Sequence, residues 1–78
     1  MKVELVSHSF PDRPDWILVN EEIPLGTQYE LLGYERNATV VNMTTSEARK
    51  IELYLLEGRE SIGWIPAICF RIIPSEVN

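Results

Sequence analysis

Thr44-Thr45-Ser46-Glu47-Ala48-Arg49-Lys50-Ile51-Glu52-Leu53-Tyr54-Leu55-Leu56-Glu57-Gly58 decides whether this chain is all β or mixed. Two patterns compete in it. Thr44 with Glu47 has the spacing of a capping box, Gly58 suits a helix C-terminal position, and Glu, Ala, Arg, Lys and Leu all favour helix. That pattern predicts an α+β fold with a helix over 45–57. Against it, Ile51, Leu53 and Leu55 alternate with Glu52 and Tyr54, which is the period of a strand. A helix would also scatter the apolar residues, since Leu53 and Leu56 lie away from Ile51 and Leu55. The alternation is the favoured reading: a loop at 44–48, then a strand over 49–56. Glu57-Gly58-Arg59-Glu60 then reads as a hairpin loop leading into Ile62-Gly63-Trp64-Ile65.

Working outward, turn residues cut the chain into short pieces. Pro11, Pro14, Pro24 and Gly26 crowd the first third, leaving room only for short strands and turns. Asp15-Trp16-Ile17-Leu18-Val19-Asn20 reads as a strand. Gln28-Tyr29-Glu30-Leu31-Leu32-Gly33-Tyr34-Glu35 reads as another, with Tyr29, Leu31 and Gly33 on one face and Glu30, Leu32 and Tyr34 on the other. Arg36-Asn37 supplies a turn before a β-branched strand from Ala38 to Met43. Ile62 to Ile65 is stopped by Pro66, and Phe70 to Ile73 by Pro74. Six short strands in one small domain, 1–78, predict a mainly β fold, an antiparallel barrel whose closure removes exposed edges.

At 78 residues there is no room for a second, cofactor-binding domain. Seven basic residues against twelve acidic give a formal charge of −5, the wrong sign for direct nucleic-acid contact or for a membrane-surface helix. The excess is uneven: Glu4, Asp12, Asp15, Glu21, Glu22, Glu30 and Glu35 face only Lys2 and Arg13 in the first half, whereas the second half is balanced. One cysteine, Cys69, forms no internal disulfide, and the first residues lack the apolar run of a signal peptide, so a reducing cytoplasm is the expected location. The sequons at Asn37 and Asn42 are chance matches in that setting.

Gly63-Trp64-Ile65-Pro66-Ala67-Ile68-Cys69-Phe70-Arg71-Ile72-Ile73 resembles the closing segment of SH3-like barrels, in which a Gly-x-aliphatic-Pro strand runs into one 3₁₀ turn and a last short strand. Pro66 ends the ladder because it lacks an N–H, and small Ala67 permits the turn near 67–69. Leu25-Gly26-Thr27-Gln28-Tyr29-Glu30-Leu31-Leu32 resembles the strand entered after the long first loop of the same domains. The resemblance covers about 15–73 and is closest to the compact SH3-like proteins of bacteria and their phages. It implies a core barrel of five to six strands. Recognition of proline-rich peptides does not carry over: the expected tyrosine is Cys69, the expected asparagine is Ile68, and the paired tryptophans are replaced by Arg49, Lys50 and Ile51.

No catalytic constellation is visible. His8 is the sole histidine and makes no metal site with Cys69; Cys69 has no base marked for it; the glycines are isolated, so no cofactor cradle is expected. The remaining candidates are Asp12, Asp15, Glu21 and Glu22 with the aromatics Trp16, Tyr34 and Trp64. Such a face suits a protein partner with a basic surface, carboxylates meeting lysine or arginine while the rings supply apolar area. The expected function is therefore a non-enzymatic protein-binding adaptor or modulator. The alternatives are a small acidic inhibitor, of the phage type, occupying a nucleic-acid-binding site on a host protein, or a self-associating structural subunit joined through a strand edge or the Ile68-Phe70-Ile72 surface.

Overall fold

The alternation of Ile51, Leu53 and Leu55 with Glu52 and Tyr54 is realised as a strand. In a computed structural model, which describes residues 1–58 and 62–74, the chain forms β1 (Lys2–Leu5), β2 (Ser9–Phe10), β3 (Arg13–Ile17), β4 (Gln28–Asn42), β5 (Glu47–Glu57), β6 (Ile62–Pro66), a 3₁₀ turn (Ala67–Cys69) and β7 (Phe70–Ile73). No α-helix occurs among the described residues, so the helix alternative over 45–57 is set aside, and none of their helices is long and apolar enough to cross a membrane. Thr44 and Glu47 do not form a capping box. Instead the Asn42 carboxamide oxygen accepts from the backbone N–H groups of Thr44 and Thr45, and the N–H of Ser46 donates to the Asn42 carbonyl at 2.7 Å. This local network turns the chain, with Ser46 at a positive φ of 60°, and releases it into β5. The Arg59-Glu60 part of the expected hairpin loop lies outside the described residues.

The strands are antiparallel and form a five-stranded sheet in the order β6-β5-β4-β1-β7, with β2 and β3 as a separate two-stranded unit. Two expectations are corrected. The strands are not all short: β4 runs for 15 residues and β5 for 11, because Arg36-Asn37 does not turn the chain but bulges within one continuous strand. Nor does the sheet close into a barrel. Pro66 ends the β6 ladder, the 3₁₀ turn carries the chain away, and β7 pairs with β1, so β6 and β7 stand at opposite edges.

β1 falls outside the range 15–73 expected for the barrel core, yet it lies between β4 and β7. Its alternating Val3 and Leu5 are buried and join Val19, Leu56, Cys69 and Phe70 in the main apolar cluster, with Tyr29, Leu31, Tyr54 and Ile65 packed against it. Each fully buried aliphatic side chain contributes about 1.5–3 kcal/mol of transfer free energy. Phe70 is therefore core, and no continuous Ile68-Phe70-Ile72 surface exists. The loop before β4 is fixed by a turn at Pro24–Thr27, where Gly26 takes a φ of +91° and both the N–H and the hydroxyl of Thr27 donate to the Pro24 carbonyl.

Candidate functional site

The first loop supplies Asp12, Asp15 and Trp16, and the fold uses all three internally. Trp16 is 5% exposed and packs edge-on against Phe10, with ring centroids 4.9 Å apart. The Arg49 guanidinium lies 4.6 Å from the Phe10 centroid and 5.6 Å from that of Trp16. It donates two hydrogen bonds of 3.0 Å to the two oxygens of Asp12 and one of 3.2 Å to Glu47. Arg13 in turn bridges Asp15 and Glu47. Three carboxylates thus share two guanidiniums, and the hairpin β2–β3 is clamped to β5. Trp16 is consequently no exposed anchor, and Asp12 and Asp15, although exposed, are each already paired with an arginine. The residue that organises the cluster, Arg49, occupies one of the positions where the SH3 resemblance leads one to expect tryptophan.

Asp12, Asp15 and Glu47 are held below the ordinary carboxylate range, in each case first by a hydrogen bond from an arginine. Because folding lowers these values, the stability they confer is fully present above the ordinary values of 3.8 for aspartate and 4.5 for glutamate, and it drains away as the pH falls through the depressed folded values. The urea midpoint is expected to drop as the pH falls below 4.5, modestly because Asp12 and Asp15 are largely exposed. Arg49→Met, which keeps the apolar stem over the rings, should make that acid limb shallower by the Asp12 share, while Arg13 still holds Asp15 and Glu47; an unchanged limb would show that the Arg49–Asp12 pair is not energetically coupled to folding.

Glu21 and Glu22 project from the loop before β4. Both are exposed, and neither forms an ion pair among the described residues. The loop is tied back by His8, whose Nε2 lies 2.6 Å from the Ile23 carbonyl and donates to it, so the single histidine is a structural one. Cys69 is buried, and loss of solvation pushes its thiol up to about 11, leaving it protonated at neutral pH. Among the described residues no three histidine, cysteine or acidic side chains are grouped to hold a metal ion.

Tyr34 and Trp64 are the exposed aromatics, at 54% and 50%, and the sheet register separates them. Ladder partners share a face, and successive residues along a strand alternate faces. Tyr34 pairs with Tyr54 and Tyr54 with Ile65, so Tyr34 belongs to the face that carries the core. Leu32 is the extra residue of a bulge between Leu31 and Gly33, and it moves Tyr34 to the same side as Leu31, contrary to simple alternation. There a cleft of about 330 Å³ is lined by Leu31, Tyr34, Arg36, Tyr54 and Ile72, with Arg36 donating to the Tyr34 hydroxyl at 3.0 Å.

Trp64 lies on the opposite, outer face. It pairs with Leu55, and Leu55 with Gly33; this row is flanked on one side by Pro66, Leu53 and Glu35 and on the other by Ile62, Glu57 and Glu30. Comparison with protein-family models, curated proteins and solved structures finds no match to this chain. The site therefore rests on its geometry: a half-exposed indole and aliphatics in the middle, carboxylates along the side. Glu35, Asn37, Ala38, Leu53 and Trp64 line a depression of about 330 Å³ on this face. A Cβ at Gly33 would meet no atom within 4 Å, so the surface beside Trp64 stays open. Sequence reasoning found Trp64 but missed Glu35, Leu53 and Leu55. The signal was available in part, since the period of β5 sets Leu53 and Leu55 on one face; placing Glu35 there required the bulged register of β4.

Proposed function

We propose that the protein is a non-enzymatic protein-binding adaptor or modulator whose outer sheet face engages a basic partner surface. The observation that carries this reading is Trp64, half exposed between Leu53, Leu55 and Ile62 and bordered by the exposed carboxylates of Glu35 and Glu57. Large aromatics of this kind are the usual energetic centres of protein interfaces, and an indole face takes a lysine or arginine well when acids stand beside it. The acidic and aromatic character expected of the site is retained, but its members change: Glu35 and Glu57 replace Asp12 and Asp15, which Arg49 and Arg13 already occupy. The same pairing weakens the inhibitor alternative, because a phosphate-like array needs uncommitted carboxylates. The strand order, with a 3₁₀ turn between β6 and β7 and a clamped first loop, supports an SH3-like relationship, and a reducing cytoplasm suits the buried single thiol.

The test is titration of the purified protein with arginine- and lysine-rich peptides, with acidic and neutral peptides of equal length as comparison. Basic peptides are expected to bind, more weakly as salt rises. Trp64→Ala should weaken binding roughly thirtyfold, the loss typical of a central anchor worth about 2 kcal/mol, and Glu35→Lys with Glu57→Lys should abolish it. Binding that ignores salt, or survives Trp64→Ala unchanged, would sink this reading.

A further inference from the structure

We propose that two copies of this chain pair antiparallel through the outer edge of β6, making one continuous sheet across a twofold axis. An unpaired strand edge offers a row of backbone donors and acceptors, and proteins guard such edges with charges, bulges or proline. The other free edges of the five-stranded sheet are guarded. β7 carries Arg71, which bonds Glu4 at 2.6 Å. The free side of β4 holds both bulges, with Glu35 and Arg36 at the second of them. Beyond the end of β6, the free side of β5 bears Arg49, Lys50 and Glu52. Of the edges of this sheet β6 alone has neither charge nor bulge, and its one proline stands at its last position: it reads Ile62-Gly63-Trp64-Ile65-Pro66, pairs in unbroken register with β5, and is hydrogen-bonded to no other strand among the described residues.

Its composition also favours a second copy over a different chain. A twofold contact sets each residue against its mirror position, so any charge in the strand would meet its like. β6 has none to oppose, although the chain as a whole carries −5. A register centred on Trp64 is self-complementary: Trp64 faces Trp64 of the second copy, Gly63 faces Ile65, and Ile62 faces Pro66. The prolines, which lack an N–H, then fall at the two ends of the ladder, and the central indoles make a cross-strand aromatic pair. Ile62, 64% exposed as it stands, gains cover. The inference does not require the basic partner; where both hold, pairing presents two Trp64 faces side by side.

Sedimentation velocity from low to high micromolar concentration, at low and high salt, tests it. The dimer fraction is expected to rise with concentration and also with salt, because screening relieves the net repulsion between copies. This is opposite to the salt response of basic-peptide capture. Ile62→Lys, a change at an exposed position, should leave a folded monomer, whereas Leu32→Lys, exposed on β4, and Glu35→Lys should leave the dimer intact. A monomer under all conditions, or a dimer that persists in Ile62→Lys, or one lost equally in Leu32→Lys, overturns the proposal. Loss of peptide binding in Glu35→Lys with the dimer retained separates it from the functional reading.

Discussion

Leu56→Ala is expected to remove about 2–5 kcal/mol of stability, the range for truncating a fully buried leucine. A domain of this length has only roughly 4–12 kcal/mol in total at typical per-residue values. Leu56 is 1% exposed and sits where three strands meet, paired with Leu31 on one side and Gly63 on the other. Gly63 has no side chain to lean into the vacated space, and the other walls, Val3, Leu5 and Phe70, are fixed by their own ladders. The cavity therefore stays largely open, which places the loss toward the upper part of the range. Urea unfolding should show a much lower midpoint with an unchanged slope. Met43→Ala, at a position 88% exposed, should be nearly neutral. If Leu56→Ala were equally mild, the apolar cluster around β1 would not be the source of cohesion described here.

Trp16→Ala is expected to have an effect of similar size, about 3–5 kcal/mol for a buried aromatic, but a local one. Trp16 and Phe10 pack against each other beneath Arg49 and stand apart from the cluster that holds Val3, Leu5 and Leu56. Without the indole, Phe10 loses its edge-on neighbour and Arg49 loses part of its platform, so the β2–β3 hairpin should lift away while the five-stranded sheet persists. Amide hydrogen exchange distinguishes the two regions. Protection should fall at Leu18, whose N–H donates to the His8 carbonyl at 2.7 Å, and be retained at Leu5 and Leu31, which donate to Thr27 and Met1. Uniform loss of protection across both groups would mean that the hairpin and the sheet are one cooperative unit.

These two variants also mark where the sequence was readable. The β class and the 3₁₀ turn followed from local signals: the alternation through Ile51, Leu53 and Leu55, and Pro66 followed by Ala67. β1 was overlooked because four residues give only one repeat of the alternation of Val3 and Leu5. The bulges at Leu32 and at Arg36-Asn37 carried no local mark; a bulge answers the bending of the whole sheet, and Arg36-Asn37 looks like any turn dipeptide. Missing them put Tyr34 on the wrong face and broke β4 in two. The site suffered most from pairing across long sequence separations. Asp12 and Asp15 look like a solvated acidic loop until Arg49, placed by the β4–β5 hairpin, and Arg13 are brought against them. An arginine next to a lysine at the start of a strand reads as surface charge, and only the three-dimensional position of Phe10 and Trp16 makes it a stacked clamp.

The pairing of β1 with β7 joins two stretches of chain that lie far apart in sequence. Lys2 and Ile73 are direct ladder partners, so the two backbones run side by side, about 5 Å apart as strand neighbours are. Closing a loop of about seventy residues carries the largest loop entropy of any strand pair in the sheet, so this ladder should zip last, after β4 and β5 have formed their hairpin.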